Sequence, residues 1–307
     1  MPTIATITVN TDTMIMDTTI TDPAVFNDLR CKDCLLRSYH ALFRKFNISE
    51  KARNEFLNAF DEIAKTQHFG STPEMQQKLN GVFRTLTGIA DAFEAEKSES
   101  NRVAEMLYKI WQPRVTAAPE PFRMALRLAI AGNIMDYGAA DSFDIHKTIE
   151  SVMNASFAID HSAQLNQALR NAASVLYLGD NAGEIVFDRL LVETMAHPNV
   201  TFAVRGGPAL NDATMKEAEE TGLHRLAKVM NSGFDAPSTI LKKSSREFLE
   251  AFRSADLIIS KGQGNLEGLI DENDPRIYFL LMVKCEVMAE KLKVKKGSCI
   301  VYNQGND

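Results

Sequence analysis

The residues best suited to chemistry sit in short polar strings that end β-rich runs. In LYLGDNAGE, residues 176–184, Gly179 permits a sharp turn, Asp180 and Asn181 offer adjacent oxygens, and a helix begins near Gly183 or Glu184. Carboxylate and amide oxygens suit a hard cation such as Mg²⁺ or Mn²⁺, while the free N–H groups of a helix start favour phosphate. The plainer alternative is that Asp180 or Asn181 caps the helix. A second string, RGGPALND, ends in Asp212 one strand and one helix further on. A parallel sheet would set the two tips side by side, so that oxygens of Asp180, Asn181 and Asp212 converge on one cation. Capping of the following stretch ATMKEAEE by Asn211 or Asp212 competes with that reading.

Three further strings surround these two. SKGQGN carries Lys261, Gly262, Gly264 and Asn265, with Gly268 after it. The glycines resemble a loosened dinucleotide fingerprint, but no acidic residue ends the next strand in the ribose position. A loop that closes over a phosphorylated substrate, with Lys261 on the phosphate and Asn265 beside it, fits better. Lys284 follows the apolar run IYFLLMV. A lysine in that setting needs a charged partner, and an anion at the neighbouring tips would supply one unless the side chain snorkels to the surface. Arg205 ends a strand and holds either a phosphate or an ion pair. Asn133 and Asp136, between Gly132 and Gly138, line the substrate pocket from the other half or serve as caps.

These strings need a scaffold, and the chain changes rhythm along its length. From Asn27 to about Leu169 it reads as helix after helix, with Leu35, Leu36, Tyr39, Leu42 and Phe43, then Val103, Met106, Leu107 and Ile110, at helical spacing. After about Asn171 the runs SVLYL, VTFAV, AKVMN, DLIIS, IYFLLMV and SCIVY alternate with helical stretches. That alternation predicts an α/β fold, a Rossmann-like three-layer α/β/α domain with a mostly parallel sheet, preceded by an all-helical N-terminal domain. The expected boundary divides residues 1–168 from residues 169–307. Ligands of such sheets bind outside the carboxyl ends of the strands, where the polar strings fall.

Composition narrows the function classes. The 307 residues are 45% hydrophobic and 24% charged, and 34 Lys plus Arg against 40 Asp plus Glu give a net charge of -6. No basic run offers a footprint for nucleic acid or an anionic membrane. No apolar run approaches the roughly 20 residues that span a bilayer, and no signal-peptide pattern opens the chain, so a cytoplasmic location is expected. Cys31 and Cys34 form a CxxC, Cys285 and Cys299 stand apart, and no second CxxC completes a four-thiolate zinc site. Cys31, Cys34 and Cys285 are expected to approach one another at the junction of the halves, which would permit a second metal or redox control. HxH, HExxH, GxSxG and Walker A patterns are absent from the sequence.

Taken in order, CKDC, AGNIMDYG, LGDNAGEIVFDRLL, RGGPALND, SKGQGNLE and MVKCE resemble the damage-control metal phosphatases, formerly a domain of unknown function, and the CxxC and Lys-Cys pair resemble their first subfamily. The resemblance runs from about Cys31 to Lys284. It implies a divalent metal, Mn²⁺, Ni²⁺ or Mg²⁺, held by Asp180, Asn181 and Asp212, and a phosphate contact from Lys284. Related members carry Arg-Thr-x-Lys at that point where this chain has LMVK, so only the lysine carries over. The implied activity is hydrolysis of phosphomonoesters of small metabolites, sugar phosphates or nucleotides, with damaged purine nucleotides or their precursors as targets.

In that chemistry the cation polarises a phosphoryl oxygen and activates water, with Lys284, Lys261 and the amides around Gly183 stabilising charge. The nucleophile is water or Asp180, with water favoured because NAG follows Asp180 in place of a second aspartate two residues on. Asp212 or Glu184 would then accept the proton. Two alternatives come from other classes: a nucleotide-binding oxidoreductase or transferase built on GQGNLEG, and a non-catalytic sensor of a phosphometabolite.

Overall fold

In a computed structural model the described residues are 28–66, 69–132, 149–150, 152–153 and 155–306. The helical region opens with α1 (Leu29–Lys45), α2 (Glu50–Thr66) and α3 (Thr72–Thr87). Asp28 caps α1 by accepting the Arg30 N–H, and Arg44 and Lys45 sit in its last turn, where cations favour the helix dipole. Gly88 ends α3 in the left-handed conformation that a residue with a β-carbon avoids. These helices share their own core, in which Tyr39, Phe43, Phe56 and Phe83 pack with ring centroids 4.5 to 6.5 Å apart.

The sheet comprises β1 (Ile159–Asp160), β2 (Val175–Leu178), β3 (Val200–Val204), β4 (Lys228–Asn231), β5 (Leu257–Lys261), β6 (Ile277–Met282) and β7 (Cys299–Tyr302). Their order is β1-β7-β6-β5-β2-β3-β4, parallel throughout except where β6 meets β7. Each of the six expected runs contains a strand. The two-residue β1, which precedes the expected boundary at 168, carries no apolar run of its own and joins the sheet through Ile159 opposite Ile300. The chain departs from β2 in both directions, to β3 and β4 on one side and to β5 and β6 on the other. A crevice therefore opens at the carboxyl ends of β2 and β5.

Helices cover both faces. One face packs on α4 (Glu94–Thr116), α5 (Pro121–Ala131), α6 (Ser162–Asn171), α7 (Glu184–Met195) and α8 (Met215–Glu220). The other packs on α9 (Arg246–Ser254), α10 (Gly262–Leu269) and α11 (Glu286–Leu292). The strands β2 and β5 are buried along their whole length, as parallel strands between two helical layers must be.

The buried face of α4 is not the one that its apolar spacing predicts. Met106 and Ile110 are exposed, while Lys97, Asn101, Ala104, Leu107, Trp111 and Val115 face inward. Lys97 is admitted because its ammonium pairs with Asp91 at 2.7 Å and Glu217 at 3.0 Å. Among the described residues no helix is long and apolar enough to cross a membrane.

Candidate active site

Asp180 and Asn181 leave the tip of β2 through Gly179, whose missing β-carbon makes room for the Phe202 ring 2.6 Å from where that carbon would stand. The loop after β3 folds back onto this tip. Asn181 and Asp212 form an isolated antiparallel bridge, the Ala213 N–H donates to the Asp180 carbonyl at 2.7 Å, and the Ala182 N–H donates to the Asn211 carbonyl at 2.9 Å. The structure thus brings Asp180, Asn181 and Asp212 together, all three buried at the wall of one cavity of about 570 Å³.

Arg205 lies behind them, buried, with all of its guanidinium nitrogens engaged. Nε donates to Asp212 Oδ2 at 2.5 Å, Nη2 to Asp180 Oδ1 at 3.2 Å, and Nη1 to Asn265 Oδ1 at 2.8 Å. Asn265 is held in turn by donating to the carbonyls of Gly179 at 3.1 Å and Lys261 at 2.8 Å, and it accepts from the Thr239 hydroxyl. Neither residue stands at the cavity wall where a substrate phosphate would contact it. Arg205 is a clamp on the two aspartates and Asn265 is its strut.

The structure also keeps Lys261, Glu184 and Gly183 away from the cavity. Lys261 and Glu184 are fully buried, and the Lys261 ammonium donates to Glu184 Oε1 at 2.6 Å, Asp188 Oδ1 at 2.5 Å and the Ala129 carbonyl at 2.9 Å. Its three protons are all used, so Lys261 belongs to a buried ion triad rather than making the expected phosphate contact, while Gln263 and Gly264 of the same string line the cavity. The Gly183 N–H donates to Asn101 Oδ1 at 2.7 Å, so that amide is taken by α4 rather than offered to an anion. Asn133 and Asp136 lie outside the described residues.

Lys284, by contrast, is at the cavity wall with Asp180, and its backbone N–H donates to Gln263 Oε1 at 2.8 Å, tying the end of β6 to the first turn of α10. Cys31, Cys34 and Cys285 line the same cavity as free thiols. The first turn of α1 is held against α11 by Arg30, whose two nitrogens reach Glu290 at 2.8 and 2.7 Å. Three neighbours are not among the residues that the sequence singles out. Asp188 had a signal, since Glu184 and Asp188 stand four apart on either side of the apolar run IVF. Asn101 and Gln263 had none, because a polar residue on a helix reads as surface until its partner is known.

Burial drives the Asp180 carboxyl well above its ordinary range, the nearby Asp212 and Glu184 charges add to this, and Arg205 and Lys284 oppose it. Two buried carboxylates share one guanidinium here, and a cation in the cavity would relieve the excess negative charge. Among the described residues no three His, Cys, Asp or Glu side chains gather as a metal-binding group. Two aspartates and one asparagine amide are a different set: all oxygen, small in number, and suited to a cation that keeps open positions for water and phosphate.

The chain is similar to known proteins over most of its length. Residues 28–300 match the damage-control phosphatase ARMT1-like domain. A damage-control phosphatase of Pyrococcus horikoshii is 38% identical over 255 residues, covering 81% of this chain and 87% of that protein. A damage-control phosphatase of Archaeoglobus fulgidus is 31% identical over 282 residues, covering 88% of this chain and 96% of that protein. The crystal structure of a duf89 family protein from Pyrococcus horikoshii superposes with a TM-score of 0.82 at 31% identity, covering 90% of this chain and 98% of that one.

Proposed function

The chain belongs to the damage-control phosphatase ARMT1-like family and is a phosphatase, and from that premise we propose that it hydrolyses phosphomonoesters of small metabolites with a divalent cation held by Asp180, Asn181 and Asp212. The observation that carries the reading is the convergence of those three side chains at one cavity wall, at the crevice beside the carboxyl ends of β2 and β5. Mn²⁺, Ni²⁺ and Mg²⁺ all suit the oxygen donors, and the substrate class is sugar phosphates or nucleotides, damaged purine nucleotides among them, met in the cytoplasm.

A cation there supplies Lewis acidity to a phosphoryl oxygen and lowers the pKa of a water beside it. The protein's own residues do the remaining work. Lys284 binds the phosphate and offsets its charge, and Arg205 keeps the two aspartates from turning away. Asp212 accepts the proton of the attacking water, while Glu184, committed to Lys261 and Asn181, is too deeply buried to do so. We further propose that residues 169–307 carry the catalytic machinery, against a cavity wall that α1 and α3 complete.

The test is phosphate release from a panel of sugar phosphates, nucleotides and p-nitrophenyl phosphate by EDTA-treated protein, with each metal added back. Release restored by metal and abolished by Asp180→Ala, with a raised KM for Lys284→Ala, is the expected result. Release that persists without metal, or in Asp180→Ala, refutes the assignment.

A further inference from the structure

The fully buried triad of Lys261, Glu184 and Asp188 has no direct part in the chemistry above, yet a hydrogen bond from Asn181 links it to the cavity. Glu184 Oε1 takes the Lys261 ammonium at 2.6 Å, and Glu184 Oε2 accepts from Asn181 Nδ2 at 3.1 Å. The same nitrogen donates to Asp180 Oδ2 at 2.9 Å. An amide can face two carboxylate oxygens only with its NH₂ end, since a carbonyl there would meet two negative acceptors. Both protons of Asn181 are therefore committed, and Oδ1 is the end turned from the carboxylates.

We infer that Glu184, fixed by Lys261, is a positioning residue that sets which end of the Asn181 amide meets a bound cation. The inference rests on the metal reading of Asp180, Asn181 and Asp212. An asparagine left to itself presents oxygen or NH₂ to the cavity about equally, and only the oxygen binds a cation. Lys261 pairs with Glu184 and Asp188 at once and so holds the first in place, and the Tyr177 hydroxyl secures the second by donating to Asp188 Oδ1 at 2.7 Å. Burying three charges is a costly way to fill a core when apolar side chains would fit. Orienting a ligand is a reason to keep them, because partners of this kind govern metal affinity.

The arrangement also explains why position 181 carries an amide. A carboxylate there would be a stronger ligand by charge, but it would face Glu184 and Asp180 without a proton between them.

The measurement is Mn²⁺ uptake by metal-stripped protein, read from the electron paramagnetic resonance of the free ion, for wild type, Glu184→Gln, Asn181→Asp and the pair together. In Glu184→Gln the new Oε1 still accepts from Lys261, but Nε2 now meets the Asn181 NH₂ donor to donor, so the amide either shifts away from position 184 or turns its carbonyl against Asp180, and in both cases Oδ1 leaves its place. A loss of affinity of about 10- to 100-fold is expected. Asn181→Asp is expected to weaken uptake despite its added charge. The double variant should regain at least about tenfold over Asn181→Asp, because the amide introduced at position 184 donates to the carboxylate introduced at position 181. Glu184→Gln that melts lower yet binds Mn²⁺ like wild type would show a merely structural role and overturn the inference, as would losses that simply add. Should Glu184→Gln not fold, Asn181→Asp alone decides, since tighter uptake overturns the inference and weaker uptake supports it. No uptake by the wild type would overturn the metal reading itself and this inference with it.

Discussion

Gly262 stands so close to Asp180 that a β-carbon at position 262 would fall 1.9 Å from the carboxylate Oδ2. Its φ of +79° is also one that L-residues avoid. The glycine that resembled part of a dinucleotide fingerprint instead lets the start of α10 pass beside the Asp180 carboxylate. Gly262→Ala is expected to cost about 1–3 kcal/mol of backbone strain. By displacing Asp180 it should also lower phosphate release on the order of 100-fold. Chemical denaturation and turnover of the same preparation check both, and normal turnover would show that the position of Asp180 does not matter to the reaction.

Arg205→Ala leaves Asp180 and Asp212 buried without their shared guanidinium. Removing one partner from such a cluster costs about 3–5 kcal/mol at neutral pH. The loss should shrink as pH falls, because carboxyls that take up protons no longer need a counter-charge. Arg205→Lys keeps the charge but not the three-pronged geometry, so it should recover part of the stability and little of the metal affinity. Denaturation curves at pH 5 and pH 7.5 distinguish these outcomes, and a loss that grows toward acid would contradict the clamp.

Much of this site is legible in the sequence. The apolar runs locate six strands, and the rule that polar strand tips share one edge of a parallel sheet places Asp180 and Asn181 beside Asp212. What the sequence hides has a common cause: burial of polar groups is decided by partners far along the chain. Lys261 follows a strand and reads as a phosphate contact until Glu184 and Asp188 surround it. On α4, Met106 and Ile110 outrank Lys97 and Asn101 by hydropathy, yet Lys97 goes inward to Asp91 and Glu217 and Asn101 goes inward to Gly183. The substrate contacts expected of Arg205 and Asn265 fail for the same reason, since each is buried off the cavity wall and turned toward neighbours from other loops.

Glu267, half-buried at the cavity wall, has its carboxyl pushed up from 4.5 to about 7 by burial, against hydrogen bonding from Gln263. The folded protein therefore holds this proton more tightly than the unfolded chain. The stability it contributes is complete below about pH 4.5 and is lost as pH rises through about 7. Glu267→Gln should gain on wild type across that window, on the order of 1–3 kcal/mol by pH 8. Melting temperatures measured from pH 4.5 to pH 8 check this, and parallel profiles for the two proteins would show that Glu267 ionises normally.

The four thiols should separate by accessibility and ionisation. Cys34 is exposed, whereas burial raises the pKa of Cys31 and of Cys285, and the Glu267 charge raises both further. Cys299 is buried on β7 with its thiol pushed up to about 11. Because the thiolate is the reactive form, N-ethylmaleimide at pH 7.5 should modify Cys34 first, Cys31 and Cys285 more slowly, and Cys299 only on unfolding. Glu267→Gln removes a negative charge from beside Cys31 and Cys285 and should speed their labelling while leaving Cys34 unchanged. Since Cys285 follows Lys284 at the cavity wall, an adduct there should block phosphate release, and an adduct on Cys34 should do so less. Peptide mass spectrometry against time, paired with turnover, checks the order. If Cys285 labels as fast as Cys34, or labels without loss of activity, then the two residues do not differ in access as the structure has them, and the substrate reaches the aspartates by another side of the cavity.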